Sequence, residues 1–315
     1  MNTNESTFAP SAHVVEAMAA AARTANRYPD PSGEPLRARL AVHHGVSSGN
    51  ILVSHGADGV LGACFRAFCD PGSPVILADP TYPFLYNLAE LAGATVVRKS
   101  SPGLLFAAAR TANCGMTILV NPSNPSGAWW PPDKVASAAP RSGVFVVDEA
   151  YADFAPASLS PLATSHQNWI VVRTFSKAYG LAGVRLGYAI GNEELKARLS
   201  LAQDPYPVST LAIAAGLAAL DDEAHYLRNV ASVRTERSRL TDALRESGWT
   251  VDESSANFIF AKPPPPGEVS KYLETLGLRH VHVRTFANAP DGIRISVGQP
   301  DENDAFLRAI DAAWS

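Results

Sequence analysis

Through the first two thirds of the chain, short apolar runs alternate with helical stretches. The runs Ile51–Ser54, Pro74–Ala78, Ala94–Arg98, Met116–Asn121, Val144–Asp148, Ile170–Thr174 and Leu186–Ile190 predict strands. Several are solidly apolar instead of alternating, which predicts strands covered on both faces, as in a mostly parallel sheet flanked by helices. Ahead of them an Ala-rich helix is expected from Ser11, its N-cap, to about Asn26, and another over Gly33–His44, stopped by Gly45. After residue 205 the texture changes. A long helical stretch from Asp221 to Ser247 carries many Arg and Glu. Strands are then expected at Trp249–Asp252, Asn257–Lys262, Val281–Thr285 and Gly292–Val297, before a closing helix.

This order predicts an α/β fold of two units. The large one spans 29–205, and a smaller α+β unit is formed by 1–28 together with 206–315. The four prolines at 263–266 read as a connector, and no internal repeat is present. Composition agrees: 46% of the 315 residues are hydrophobic and 18% charged, below the usual ~25%, so the chain is core-rich and not disordered. Lys and Arg number 26 against 30 Asp and Glu, a net charge of −4, which speaks against a nucleic-acid partner. The longest apolar run, Leu211–Leu220, is about half of a membrane span, so no membrane is expected. MNTNESTFAP has neither the basic nor the apolar stretch of a secretory signal. Three cysteines (Cys64, Cys69, Cys114) show no metal or redox spacing, and a reduced, cytoplasmic location is expected. Two pairs of histidines, His43-His44 and His280/His282, supply too few ligands for a metal site.

Four polar clusters stand where buried strands should end, and open α/β sheets bind ligands there. Ser54-His-Gly-Ala57-Asp58-Gly59 lies between a strand and a helix, where small residues let backbone amides approach an anion. Asn121-Pro-Ser-Asn124-Pro-Ser-Gly127 leaves a buried strand, and each proline restricts the Asn before it. Asp148-Glu149-Ala150-Tyr151 places a carboxylate at the end of a buried strand, where desolvation demands a cationic partner or hydrogen bonds. The densest cluster runs from Arg173 to Tyr188 as RTFSKAYGLAGVRLGY. Lys177, in an apolar and cation-rich setting, is a candidate nucleophilic amine with a lowered pKa. Thr174, Ser176 and Arg185 are candidate phosphate donors.

In this order the clusters resemble the fold-type I pyridoxal-phosphate (PLP) aminotransferases, and more narrowly the histidinol-phosphate aminotransferase family. NPSNPSG, DEAYADF, RTFSKAYGLAGVRLGY and RISVG carry the resemblance, with NxNE at Asn2–Glu5 and YPD at Tyr28–Asp30. It implies that Lys177 holds PLP through an imine and, once released by substrate, moves the proton between the substrate α-carbon and the cofactor. Asp148 would keep the pyridine nitrogen protonated, and Tyr151 and Asn124 would hydrogen-bond the ring hydroxyl oxygen. Tyr82 would stack on the ring. The phosphate would sit among Ala57, Asp58, Thr174, Ser176 and Arg185, with Tyr28 lent by the neighbouring subunit of a homodimer with shared active sites. Arg294 matches the arginine that clamps the substrate anion and Arg284 a second one for a distal anionic group, with Asn124 also on the substrate side.

The expected activity is transfer of an amino group from histidinol phosphate, or an aromatic amino acid, to a 2-oxo acid such as 2-oxoglutarate. The same site chemistry also suits a decarboxylase of phosphorylated amino acids, similar to the threonine-phosphate decarboxylases, or a specialised-pathway aminotransferase. The sequence departs from the family pattern at Gly59, where Glu is common, and at Trp129-Trp130. The family's N-terminal arm, whose tyrosine helps hold substrate phosphate, does not precede the NxNE motif in this sequence.

Overall fold

The structure is a computed structural model that describes residues 1–111, 115–264 and 269–314. Cys114, Pro265 and Pro266 lie outside the described residues. Helices α1 (Ala12–Ala21) and α2 (Glu34–His44) precede strand β1 (Ile51–Ser54) and helix α3 (Gly56–Phe68). There follow β2 (Pro74–Ala78), α4 (Phe84–Leu91), β3 (Thr95–Lys99), α5 (Pro102–Thr111), β4 (Met116–Val120), α6 (Pro132–Ala138), β5 (Val144–Asp148), β6 (Trp169–Thr174), β7 (Gly187–Gly191) and α7 (Glu193–Leu201). Then come α8 (Thr210–Asp221), α9 (Glu223–Glu246), β8 (Thr250–Val251), β9 (Phe258–Lys262), α10 (Val269–Leu278), β10 (Arg284–Phe286), β11 (Ala289–Ser296) and α11 (Pro300–Trp314).

The seven-stranded sheet has the order β1-β7-β6-β5-β4-β2-β3, and β7 alone runs opposite to the other six strands. Its apolar strands divide their side chains between two layers. Phe145, Val147, Trp169 and Val171 pack with α2, α5, α6 and α8 on one face. Val146, Ile170 and Val172 pack with α3, α4 and α7 on the other. Burial on both sides is why the sequence runs look continuous instead of alternating. A second sheet, β10-β11-β9-β8, is antiparallel throughout and packs its own cluster of Ile259, Ile293 and Ile295 against α9, α10 and α11.

Local chemistry sets several boundaries. Ser11 caps α1 by accepting from Val14 N–H, but the α-helix ends at Ala21 and a 3-10 turn completes it to Thr24. Gly45, at φ 66°, closes α2 in a left-handed conformation that glycine adopts freely. The long helix expected from Asp221 to Ser247 forms as α9, starting two residues later at Glu223. Asp222 leaves the helical conformation and its side chain accepts from His225 N–H, which ends α8 and caps α9. The strand expected over Val281–Thr285 starts only at Arg284, after a turn in which His280 is left-handed at φ 57°. Helices α1 and α8 bury Val14, Ala212 and Ala215 in the same cluster as Phe145 of the large sheet. Among the described residues no helix is long and apolar enough to cross a membrane.

Parallel β4, β5 and β6 all end on one edge of the sheet, and antiparallel β7 begins there. The segments after those ends, together with the start of α3, form the site.

Candidate active site

One cavity of about 450 Å³ lies at that edge. Its lining includes Ala57, Asp58, Tyr82, Asn124, Asp148, Tyr151, Thr174, Ser176, Lys177, Arg185, Arg284 and Arg294. Of the residues to which the sequence assigned a catalytic, cofactor or substrate role, only Tyr28 is elsewhere: it is 82% exposed, and its ring stacks on Tyr206 with centroids 4.4 Å apart.

At one end stands the start of α3. His55 precedes it without a side-chain cap, leaving amides of the first turn for an anion. Gly187 lets β7 approach it: a Cβ there would meet Ala57 N at 2.5 Å. Arg185, left-handed at φ 58°, donates through Nη2 to Asp58 Oδ2 at 3.0 Å, and Asp58 Oδ1 accepts from Tyr82 OH at 3.2 Å. Thr174 Oγ1 accepts from Ser176 N–H at 3.1 Å and lies 3.0 Å from Ser176 Oγ, so both hydroxyls sit together beside Arg185's loop.

Deeper in, Asp148 ends β5 and is 3% exposed. Burial raises its pKa to about 7, against the pull of the Ala150 N–H that donates to Oδ1 at 3.0 Å. Lys177 has the converse problem. Burial first, then the nearby Arg294 guanidinium, lowers its amine to about 8. Its Nζ donates to the Asn4 carbonyl at 3.1 Å and lies 5.7 Å from the Tyr151 ring centroid. Tyr151 is buried edge-to-face against Phe258 and accepts from Asn4 Nδ2 at 3.2 Å. Burial also raises its phenol pKa.

At the far end, Arg294 of β11 is 6% exposed between the rings of Phe258 and Phe286, each 5.3 Å from its guanidinium carbon. Nη1 donates to Asn124 Oδ1 at 2.8 Å and Nη2 to the Asn2 carbonyl at 2.7 Å, while Nε has no partner. Burial, followed by the neighbouring Arg284, lowers its pKa. Arg284 faces Arg294 in register across β10 and β11 and is exposed. Behind the site, Arg173 is buried between Glu149 (3.1 Å) and Asp153, tying β6 to the segment after β5. Asn121 likewise holds its loop, exchanging hydrogen bonds with the Trp130 backbone at 2.8 and 3.0 Å.

Among the lining residues given no role from the sequence, two have side chains that touch predicted site residues. Phe286 carries no motif. Asn4 sits inside the noticed NxNE pattern, but nothing in the spacing tied it to Lys177, 173 positions away.

A lysine amine lowered by burial and a buried acid share the cavity with hydrogen-bond donors at one end and arginines at the other, an arrangement suited to an α/β enzyme that acts on small anionic substrates. The sequence model for aminotransferase class I and II matches residues 1–310, and the chain belongs to that family. Histidinol-phosphate aminotransferase 1 of Mesorhizobium japonicum is 35% identical to it, over 98% of this chain and 89% of that protein. Histidinol-phosphate aminotransferase of Symbiobacterium thermophilum is 36% identical over 99% and 90%. Among solved structures, histidinol-phosphate aminotransferase from Sinorhizobium meliloti in complex with pyridoxal-5'-phosphate superposes with a TM-score of 0.90 at 31% identity, covering 99% of this chain and 89% of that one.

Proposed function

We propose that this chain is a PLP-dependent aminotransferase that moves the amino group of histidinol phosphate to a 2-oxo acid such as 2-oxoglutarate. The observation that carries this reading is the meeting of Lys177, Asp148 and Arg294 in one cavity. The residues fit PLP. Asp148 is a buried carboxyl pushed up to about 7, an environment that a cationic ring nitrogen would relieve. The uncapped start of α3, with Thr174, Ser176 and Arg185, offers donors for its phosphate. Tyr82 supplies an aromatic face, and Tyr151 and Asn124 supply polar atoms for the ring oxygen.

Bound there, PLP supplies an electron sink conjugated to the substrate α-carbon. The protein's part is binding and proton movement. Asp148 keeps the proton on the ring nitrogen. Lys177, with an amine at about 8, is neutral in a useful fraction near pH 7–8 and takes and returns the α-proton. Arg294 binds and orients the substrate anion through a planar fork, and Arg284, on the exposed side, meets a distal phosphate. A homodimer is part of the proposal, with Tyr28 reaching the phosphate of the neighbouring site; the exposure of the Tyr28–Tyr206 pair supports it. The location is proposed to be cytoplasmic. The division into a large unit (29–205) and a smaller one (1–28 with 206–315) is supported by the two sheets, although α1 and α8 both pack on the large sheet, which favours assigning α1 to the large unit and moving its C-terminal edge to about Asp222.

The test is turnover. Histidinol phosphate with 2-oxoglutarate should give glutamate at a kcat/KM well above that of aromatic amino acids. Release of carbon dioxide from a phosphorylated amino acid, with no 2-oxo acid consumed, would replace transamination with decarboxylation.

A further inference from the structure

The segment before α1 enters the cavity at Asn4. This residue is 1% exposed and left-handed, with φ 53°, a conformation that asparagine tolerates better than most side chains. Ser296 of β11 locks it from both sides: Oγ accepts from Asn4 N–H at 3.0 Å and donates to Asn4 Oδ1 at 2.8 Å. With Oδ1 so engaged, the amide orientation is fixed and Nδ2 faces Tyr151 OH at 3.2 Å. The Asn4 carbonyl meanwhile accepts from Lys177 Nζ at 3.1 Å and from Asn257 Nδ2 at 3.2 Å.

We propose that Asn4 is a positioning residue for the reaction, holding the free amine of Lys177 through its carbonyl and the phenol oxygen of Tyr151 through its side-chain amide. This rests on the roles proposed above for Lys177 and Tyr151. Two consequences follow from the bonding. Because Tyr151 OH accepts from Asn4, its own hydrogen remains available to donate, which would suit it to a ring oxygen of bound cofactor. Because a carbonyl binds an ammonium more strongly than an amine, Asn4 resists the loss of charge at Lys177. The charged groups facing that amine are Arg294 on β11 and Arg185 before β7, which oppose protonation, and Asp58 on α3 and Glu5 beside Asn4, which favour it. Asp148 at the end of β5 also interacts with it, and the Tyr151 phenol lies against it. The left-handed backbone is what lets one residue reach both partners, since it turns carbonyl and side chain toward the same cavity.

The experiment is an NMR titration of the cofactor-free chain labelled with 13C-lysine, the Lys177 signal being identified by its loss in Lys177→Ala. Asn4→Ala places a Cβ residue unsuited to φ 53° there, withdrawing the carbonyl; the titration midpoint of Lys177 should fall by about one pH unit, a tenfold change in the ammonium-to-amine ratio. Asn4→Gly keeps the left-handed backbone and should leave the midpoint in place, while transamination drops at least about tenfold through loss of the bond to Tyr151. Ser296→Ala removes the lock without touching Asn4 and should move the midpoint in the same direction as Asn4→Ala; it decides the matter where Asn4→Ala does not fold. An unmoved midpoint in Asn4→Ala and Ser296→Ala, or the same midpoint and the same turnover in Asn4→Gly and Asn4→Ala, overturns the proposal. The midpoint is read without cofactor, so a wild-type chain with no transamination refutes the functional reading while the titration still decides the placement of Asn4.

Discussion

Replacing Asp148 with Asn should stabilise the cofactor-free protein while destroying its activity. The carboxyl is 3% exposed, and burial raises its pKa from the ordinary 3.8 to about 7. The folded chain therefore binds more protons than the unfolded chain between those values. Stability falls as pH rises through that window, and the cost is complete above pH 7. At about 1.4 kcal/mol per pH unit, the interval from 3.8 to about 7 corresponds to roughly 4 kcal/mol. An amide of the same shape keeps the acceptor for Ala150 N–H and carries no charge to desolvate. Urea unfolding of cofactor-free Asp148→Asn should give about 2–4 kcal/mol more stability than wild type at pH 8 and almost none at pH 4, with turnover lost by orders of magnitude. An amide variant less stable than wild type at pH 8, or a gain independent of pH, would refute the reasoning.

Arg294→Lys keeps a cation but cannot reach Asn124 and the Asn2 carbonyl together; KM for the amino donor should rise roughly 10–100-fold in steady-state kinetics, with a smaller change in kcat. Gly187→Ala drives a Cβ into the start of α3, so PLP affinity should fall at least about tenfold in fluorescence titration, with a stability loss of about 1–3 kcal/mol. Arg173→Met leaves Glu149 and Asp153 buried without their cation, and denaturant unfolding at pH 7 should register a loss of about 3–5 kcal/mol.

Much of the large sheet was legible because its central strands are buried on both faces, so that a run such as Val144–Val147 has no polar position to disguise it. The cavity was legible for a related reason. Asp148, Thr174 and Lys177 are expensive to place after such runs without a purpose, and they follow strands that end on one edge. Long-range geometry was not legible. Asn4 finds its partners 147 to 292 positions away, and no local pattern records that pairing. Ala-rich α1 and α8 present faces that would suit either sheet, so only packing reveals that they cover the larger one.

The most direct measurement is the absorbance spectrum of the purified protein with PLP, before and after histidinol phosphate is added without an acceptor. The account predicts a band from lysine-bound cofactor that is absent in Lys177→Ala and that converts to the pyridoxamine form on adding the donor. A band that never forms, or turnover that survives in Lys177→Ala, would contradict it.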